Sequence, residues 1–182
     1  MSRHIDPEVE GRILLAARKL WHKGGERALN MRAVAKAAGT NTPAVYRRFR
    51  NRDGILSALV SHYQQELLKV FQGCDSIEQM GEAYIDYVLD HPREYILMTS
   101  GLLGRVSQGR PGLDFVIAKC SELLGGAPGE HLPLVYALWA MAHGTALLRV
   151  SGSAREADFP KMRAAFARAL DILVANEAKL RS

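Results

Sequence analysis

The chain has 182 residues, 48% of them hydrophobic and 24% charged. That is a globular composition, not a disordered one, and a chain of this length can bury a core without disulfides or structural metals. Two cysteines, Cys74 and Cys120, are too few for a disulfide framework and point to a reducing, cytoplasmic compartment. Met1 to Glu8 lacks the apolar core of a signal peptide, and the unbroken apolar run Leu132 to Ala142 is too short to span a bilayer. The expectation is therefore neither a secreted nor a membrane-spanning protein. The net charge of +5 is unevenly placed: residues 1–55 carry +7 and residues 56–182 carry −2. A basic module joined to a near-neutral body suggests that the first third meets a polyanion while the rest does something else.

Almost every segment reads as helix. Asp6-Pro7 suits a cap and first turn, and Val9, Ile13, Ala16, Ala17 and Leu20 recur at helical spacing until Gly24-Gly25 stops them. Asn30 caps a short second helix with Met31, Val34, Ala35 and Ala38 on its inner face, ended by Gly39. A third helix opens at Asn41 or Thr42 with Pro43 in its first turn, and carries Val45, Tyr46 and Phe49. Asn51 caps a long fourth helix, about 53–72, that connects the two parts. Further helices are expected near 76–91, 93–106, 113–124, 130–151 and 158–180, separated by Gly/Pro/Ser-rich stretches. No window alternates with a two-residue period. The expected fold is all-α with about nine helices, divided into a basic first domain over 1–55 and a near-neutral second domain over 56–182.

Met31 to Ala38, the Gly39-Thr40-Asn41 turn and Thr42 to Phe49 have the make-up of a helix-turn-helix. Ala35 is small where the helices cross, and Gly39 allows the positive φ of the turn. Val34, Val45 and Phe49 lock the pair onto the first helix. Thr40, Thr42, Tyr46, Arg47 and Arg48 stay outward, with Arg32, Asn41 and Pro43 beside them, so the third helix can lie in a major groove with cations on phosphates. The expected partner is double-stranded DNA.

From Ile13 to Leu67, the Ala-Ala-x-x-Leu-Trp, Met-Arg-x-Val-Ala-x-Ala-Ala-Gly and Val-Tyr-Arg-x-Phe-x-x-Arg-Asp patterns resemble the DNA-binding region of the tetracycline-repressor (TetR) family. The resemblance implies that Tyr46 holds a phosphate, that Arg52 takes the place of the usual Lys opening the fourth helix, and that Asn30 caps the second helix and donates to phosphate. Two positions depart from the pattern: Arg48 stands where His is frequent and Arg50 where Pro is frequent. Both add positive charge and bear on base preference. Trp139-Ala140-Met141-Ala142-His143-Gly144 is similar to a Trp-x-x-x-His-Gly element of one group of C-terminal domains in this family. The resemblance also implies a homodimer built on the last two helices of each subunit and a ligand cavity enclosed by the preceding ones.

Trp139 and His143 lie four apart on one helical face and are candidate ligand contacts; a core Trp and a structurally bonded His are the alternative. Tyr84, Tyr87, Val88, Tyr95, Met98 and Leu102 form a stripe that suits the wall of an apolar pocket or simply core, with Phe115 on the following helix. Gly101 and Gly104 weaken the helix beside it. The expected effector is a small, apolar, weakly charged molecule. Ala137, Ala140 and Gly144, facing Phe166, Leu170 and Leu173, are expected at the dimer interface, because the last two long helices each carry more apolar surface than one subunit can cover. No catalytic, metal or nucleotide-binding motif is found, so no enzyme activity, metal or cofactor is implied. The expected function is a ligand-responsive transcriptional repressor. An activator of the same build and an all-α binding protein that has lost DNA binding are the alternatives.

Overall fold

The computed structural model describes residues 7–99 and 109–181. Among these the chain forms nine α-helices and three short 3₁₀ turns, with no strand. The helices are α1 (Pro7–Ala28), α2 (Met31–Ala37), α3 (Thr42–Arg48), α4 (Arg52–Gln72), α5 (Ile77–Asp90), α6 (Pro92–Thr99), α7 (Pro111–Leu124), α8 (Leu132–Val150) and α9 (Phe159–Ala175). The expected ninth helix over 158–180 is shorter, because Asn176 ends it and a separate 3₁₀ turn, Glu177–Lys179, follows. None of these helices is long and apolar enough to cross a membrane.

Two compact units divide the chain. The first comprises residues 1–63 and 93–108, and the second residues 64–92 and 109–182. Helix α6 groups with the first unit, although it follows α5 of the second in the chain. Its anchors are specific. Leu97 is fully buried in the first core, the Trp21 indole N–H donates to the Arg93 carbonyl at 2.9 Å, and the exposed His22 Nε2 lies 2.5 Å from Oε1 of buried Glu94.

The first core gathers Ile13, Ala17 and Trp21 from α1, Val34 and Ala35 from α2, Val45 and Phe49, and Ile55, Leu56, Leu59 and Tyr63 from α4. The double glycine breaks α1 where the sequence predicts it. Gly25 has φ 58° and ψ −141°, a backbone conformation that side chains rarely adopt. In the second unit α5 packs on α8 and α9, and α7 closes over them around Ile85, Cys120, Leu134, Leu138, Phe166 and Leu170. Gly81 lets α5 approach α9 closely, since a Cβ there would lie 2.6 Å from the Leu170 methyl. Both cysteines are free thiols, and burial pushes the Cys120 thiol up to about 11.

Candidate nucleic-acid interface and effector site

The helix-turn-helix is set by backbone chemistry. Asn30 Oδ1 accepts from the Ala33 N–H, and Asn41 Oδ1 from the Ala44 N–H, each at 2.9 Å, satisfying first-turn donors that helix hydrogen bonding leaves unpaired. Between them Gly39, at φ 63°, closes α2 with the Thr40 N–H on the Ala35 carbonyl. Ala44 and Val45 turn inward and are buried. What remains outward is Arg32, Asn41, Pro43, Arg47 and Tyr46, which is 52% exposed, with Thr40, Thr42 and Arg48 half-buried. The expected contact residues of α2 and α3 are thus presented to solvent in the most basic part of the chain.

Arg52 is different. Its Nε donates to the Leu29 carbonyl at 2.9 Å and its Nη2 to the Glu26 carbonyl at 3.0 Å, while Nη2 also lies 3.1 Å from the Glu26 carboxylate. The side chain ties the start of α4 to the turn that closes α1. Most of this donor fork is committed within the chain.

In the second unit, the Tyr84 hydroxyl on α5 lies 3.2 Å from Nδ1 of His143, and the Trp139 ring meets His143 edge-on at 6.2 Å. Burial pushes the Tyr84 phenol up to about 12 and holds the His143 imidazolium pKa below its ordinary range. At neutral pH the phenol therefore keeps its proton and the imidazole is neutral, and the imidazole tautomer sets which of the two donates. Trp139 is 37% exposed, and the Arg110 guanidinium sits 5.2 Å from its ring centroid. Phe115 is half-buried against the second core. Of the expected stripe, Tyr95 is buried and Met98 packs in the first unit, while Tyr84, Tyr87 and Val88 belong to the second. Leu102, with Gly101 and Gly104, lies outside the described residues.

The faces of α8 and α9 divide between the subunit's own core and solvent. Leu134, Val135, Leu138, Ala142 and Ala146 face inward. Tyr136, Trp139, Ala140, Leu147 and Leu148 are exposed, with Ala137 and Gly144 half-buried beside them. Phe166 and Leu170, expected at an interface, are buried in the subunit's own core against Gly81, and Leu173 packs half-buried on that core. The exposed face of α9 carries Ala164, Ala165, Arg168 and Ile172 instead. Tyr136 and Ile172 are exposed apolar residues on these faces.

Residues 13–59 match the model of the family of bacterial regulatory proteins called the tetR family, and residues 77–173 match the tetracyclin repressor-like C-terminal domain. The chain belongs to the TetR family. No curated protein sequence matches it closely. Solved structures share the fold. A protein of unknown function from Rhodococcus sp. RHA1 aligns with a TM-score of 0.74 at 19% identity over 100% of both chains. A TetR variant from Acinetobacter baumannii AYE, in complex with minocycline, gives 0.67 at 21% identity over 95% of this chain and 98% of that one. A TetR-family regulator from Streptomyces coelicolor A3 gives 0.54 at 19% over 97% and 99%.

For a TetR-family regulator, a DNA-binding and ligand-responsive function follows at the level of the family. Two features of this member are invisible to sequence reasoning. Arg110 precedes α7 in the chain, so nothing local announces its stacking on Trp139. Arg52 and Glu26 are 26 residues apart, and only the fold joins them.

Proposed function

We propose that this TetR-family protein is a homodimeric repressor that holds a pseudo-palindromic operator and releases it when a small, largely apolar effector binds its second unit. The observation that carries the DNA part is the outward set Arg32, Pro43, Tyr46 and Arg47 around a doubly capped helix pair in a region of net charge +7. Tyr46 and Asn30 position the head on phosphates, while Thr42, Arg47 and Arg48 read base edges. The effector contacts are assigned to Tyr84, Trp139 and His143, and to Phe115 of α7. The neighbour solved with minocycline supports a small-molecule role for this kind of body.

Two heads entering successive major grooves must sit about 34–36 Å apart, so a second copy is needed. The exposed apolar face of α8, with Tyr136, Ala140 and Leu147, and the small-residue face of α9 supply the surface for it. An effector can shift operator affinity only by its difference in affinity for the bound and released arrangements. Selection from a random DNA library with purified protein tests the reading. The expected product is a two-fold site with half-sites about 10 base pairs apart or a multiple of that, bound more weakly as salt rises. Recovery of no preferred sequence would remove the operator reading.

A further inference from the structure

We infer that Arg50, and not Arg52, is the phosphate anchor at the junction of the recognition helix and α4, and that Arg52 acts as a positioning residue. The inference rests on the DNA-binding reading above. Three observations carry it.

The first is where the Arg52 guanidinium goes. It donates to the carbonyls of Leu29 and Glu26 and pairs with the Glu26 carboxylate, leaving only Nη1 outside this clasp. The pair contributes almost no net charge outward. The Glu26 carboxylate, itself half-exposed, would repel a phosphate if Arg52 left it. Moving Arg52 onto DNA would also expose the two carbonyls that it satisfies.

The second is what Arg50 has nearby. It is exposed, and among the described residues its guanidinium has no hydrogen bond or ion pair. No described residue occupies its donors, and a planar guanidinium recognises phosphate in a forked geometry.

The third is how firmly its backbone is held. Phe49 before it is buried, and its N–H donates to the Val45 carbonyl at 2.9 Å. Asn51 after it accepts from the Gly54 N–H at 2.9 Å through Oδ1, capping α4. The cation therefore follows directly on the recognition helix, three residues after Arg47, on a turn fixed at both ends. Such a contact costs little backbone ordering when it forms.

The experiment measures affinity against salt for the full-length protein, on the selected operator and on random DNA, with the thermal midpoint of each variant. Removing one phosphate-neutralising cation reduces the slope of log K against log salt by about 0.9, so Arg50→Ala should reduce it by about two per dimer and weaken both DNAs alike. Arg50→Lys should restore most of the slope. Arg52→Gln should leave the slope of the folded protein unchanged and lower its thermal midpoint. An unchanged slope in Arg50→Ala overturns the inference, even where Arg52→Gln does not fold. So does a folded Arg52→Gln whose slope falls as far as that of Arg50→Ala. Wild-type protein that binds neither DNA would instead overturn the DNA-binding reading itself.

Discussion

Glu177 shows how one carboxylate can hold the end of a chain. Arg181 donates from Nε to both of its oxygens, at 2.9 and 2.8 Å, and reaches Glu130 through Nη1 at 3.0 Å. In fully buried His131, Nδ1 lies 2.8 Å from the Glu177 carboxylate and Nε2 lies 2.9 Å from the Gly125 carbonyl. Arg181 first, and His131 after it, hold the Glu177 carboxyl below the usual carboxylate range against the opposing effect of burial. A depressed folded-state value means that its stabilisation is complete above the unfolded value of about 4.3 and is lost as pH falls through the folded one. Glu177→Gln should therefore lower the thermal midpoint at pH 7, and the gap from wild type should narrow below about pH 4.3. A gap that stayed constant down to about pH 3 would assign the loss to packing alone. Tyr46→Phe is a second test at this scale. It removes one exposed hydroxyl, so it should weaken binding to all DNA sequences alike and leave the folded protein as stable as before.

Two glycines differ in what an added Cβ would meet within the chain. On α5, a Cβ at Gly81 would meet the Leu170 methyl at 2.6 Å and the Phe166 ring at 3.1 Å, both in side chains already buried. Overpacking of this kind costs about 1–3 kcal/mol, against a helix-propensity gain of at most about 1 kcal/mol, so Gly81→Ala should lower stability in urea unfolding. On α8, nothing lies within 4 Å of a Cβ at Gly144. Gly144→Ala should stabilise the isolated subunit by about 0.5–1 kcal/mol through lower backbone freedom in the unfolded chain. If a second subunit approaches that backbone, the same change should weaken association, which sedimentation at graded concentrations would read. Gly39 is the local case. Its φ of 63° with open space around the missing Cβ makes Gly39→Ala a pure backbone cost, about 1 kcal/mol.

At the scale of the whole molecule, α8 and α9 differ in which face the subunit leaves uncovered. Ala140 is exposed beside Tyr136 and Leu147, whereas Phe166 is 4% exposed inside the second core. A charge at the two positions should therefore fail in different ways. Ala140→Glu should give a folded monomer with native helicity that no longer binds the operator. Phe166→Asp should give unfolded or insoluble protein, because an unpaired carboxylate in that core costs several kcal/mol. A dimeric, operator-competent Ala140→Glu protein would place the two-fold contact elsewhere. A soluble, helical Phe166→Asp protein would contradict the packing of α9 on α5.

The amino-acid sequence determined the helical fold, the helix-turn-helix and the family, because these rest on short-range signals. Asn30, Asn41 and Asn51 cap first turns three residues away, Gly25 and Gly39 take positive φ, and the apolar residues of α1 recur at helical spacing. Tertiary structure alone decided the rest. Helix α8 is apolar nearly all round, so periodicity cannot tell which face turns inward, and α9 spends its large apolar residues on its own subunit. Helix α6 follows α5 in the chain yet groups with the first unit, where Leu97 is buried in its core. In the sequence Arg52 reads as a free cation, because its acceptors, Glu26 and Leu29, lie 26 and 23 residues away. A charge count records that a guanidinium exists; only the folded chain shows which acceptors it already has.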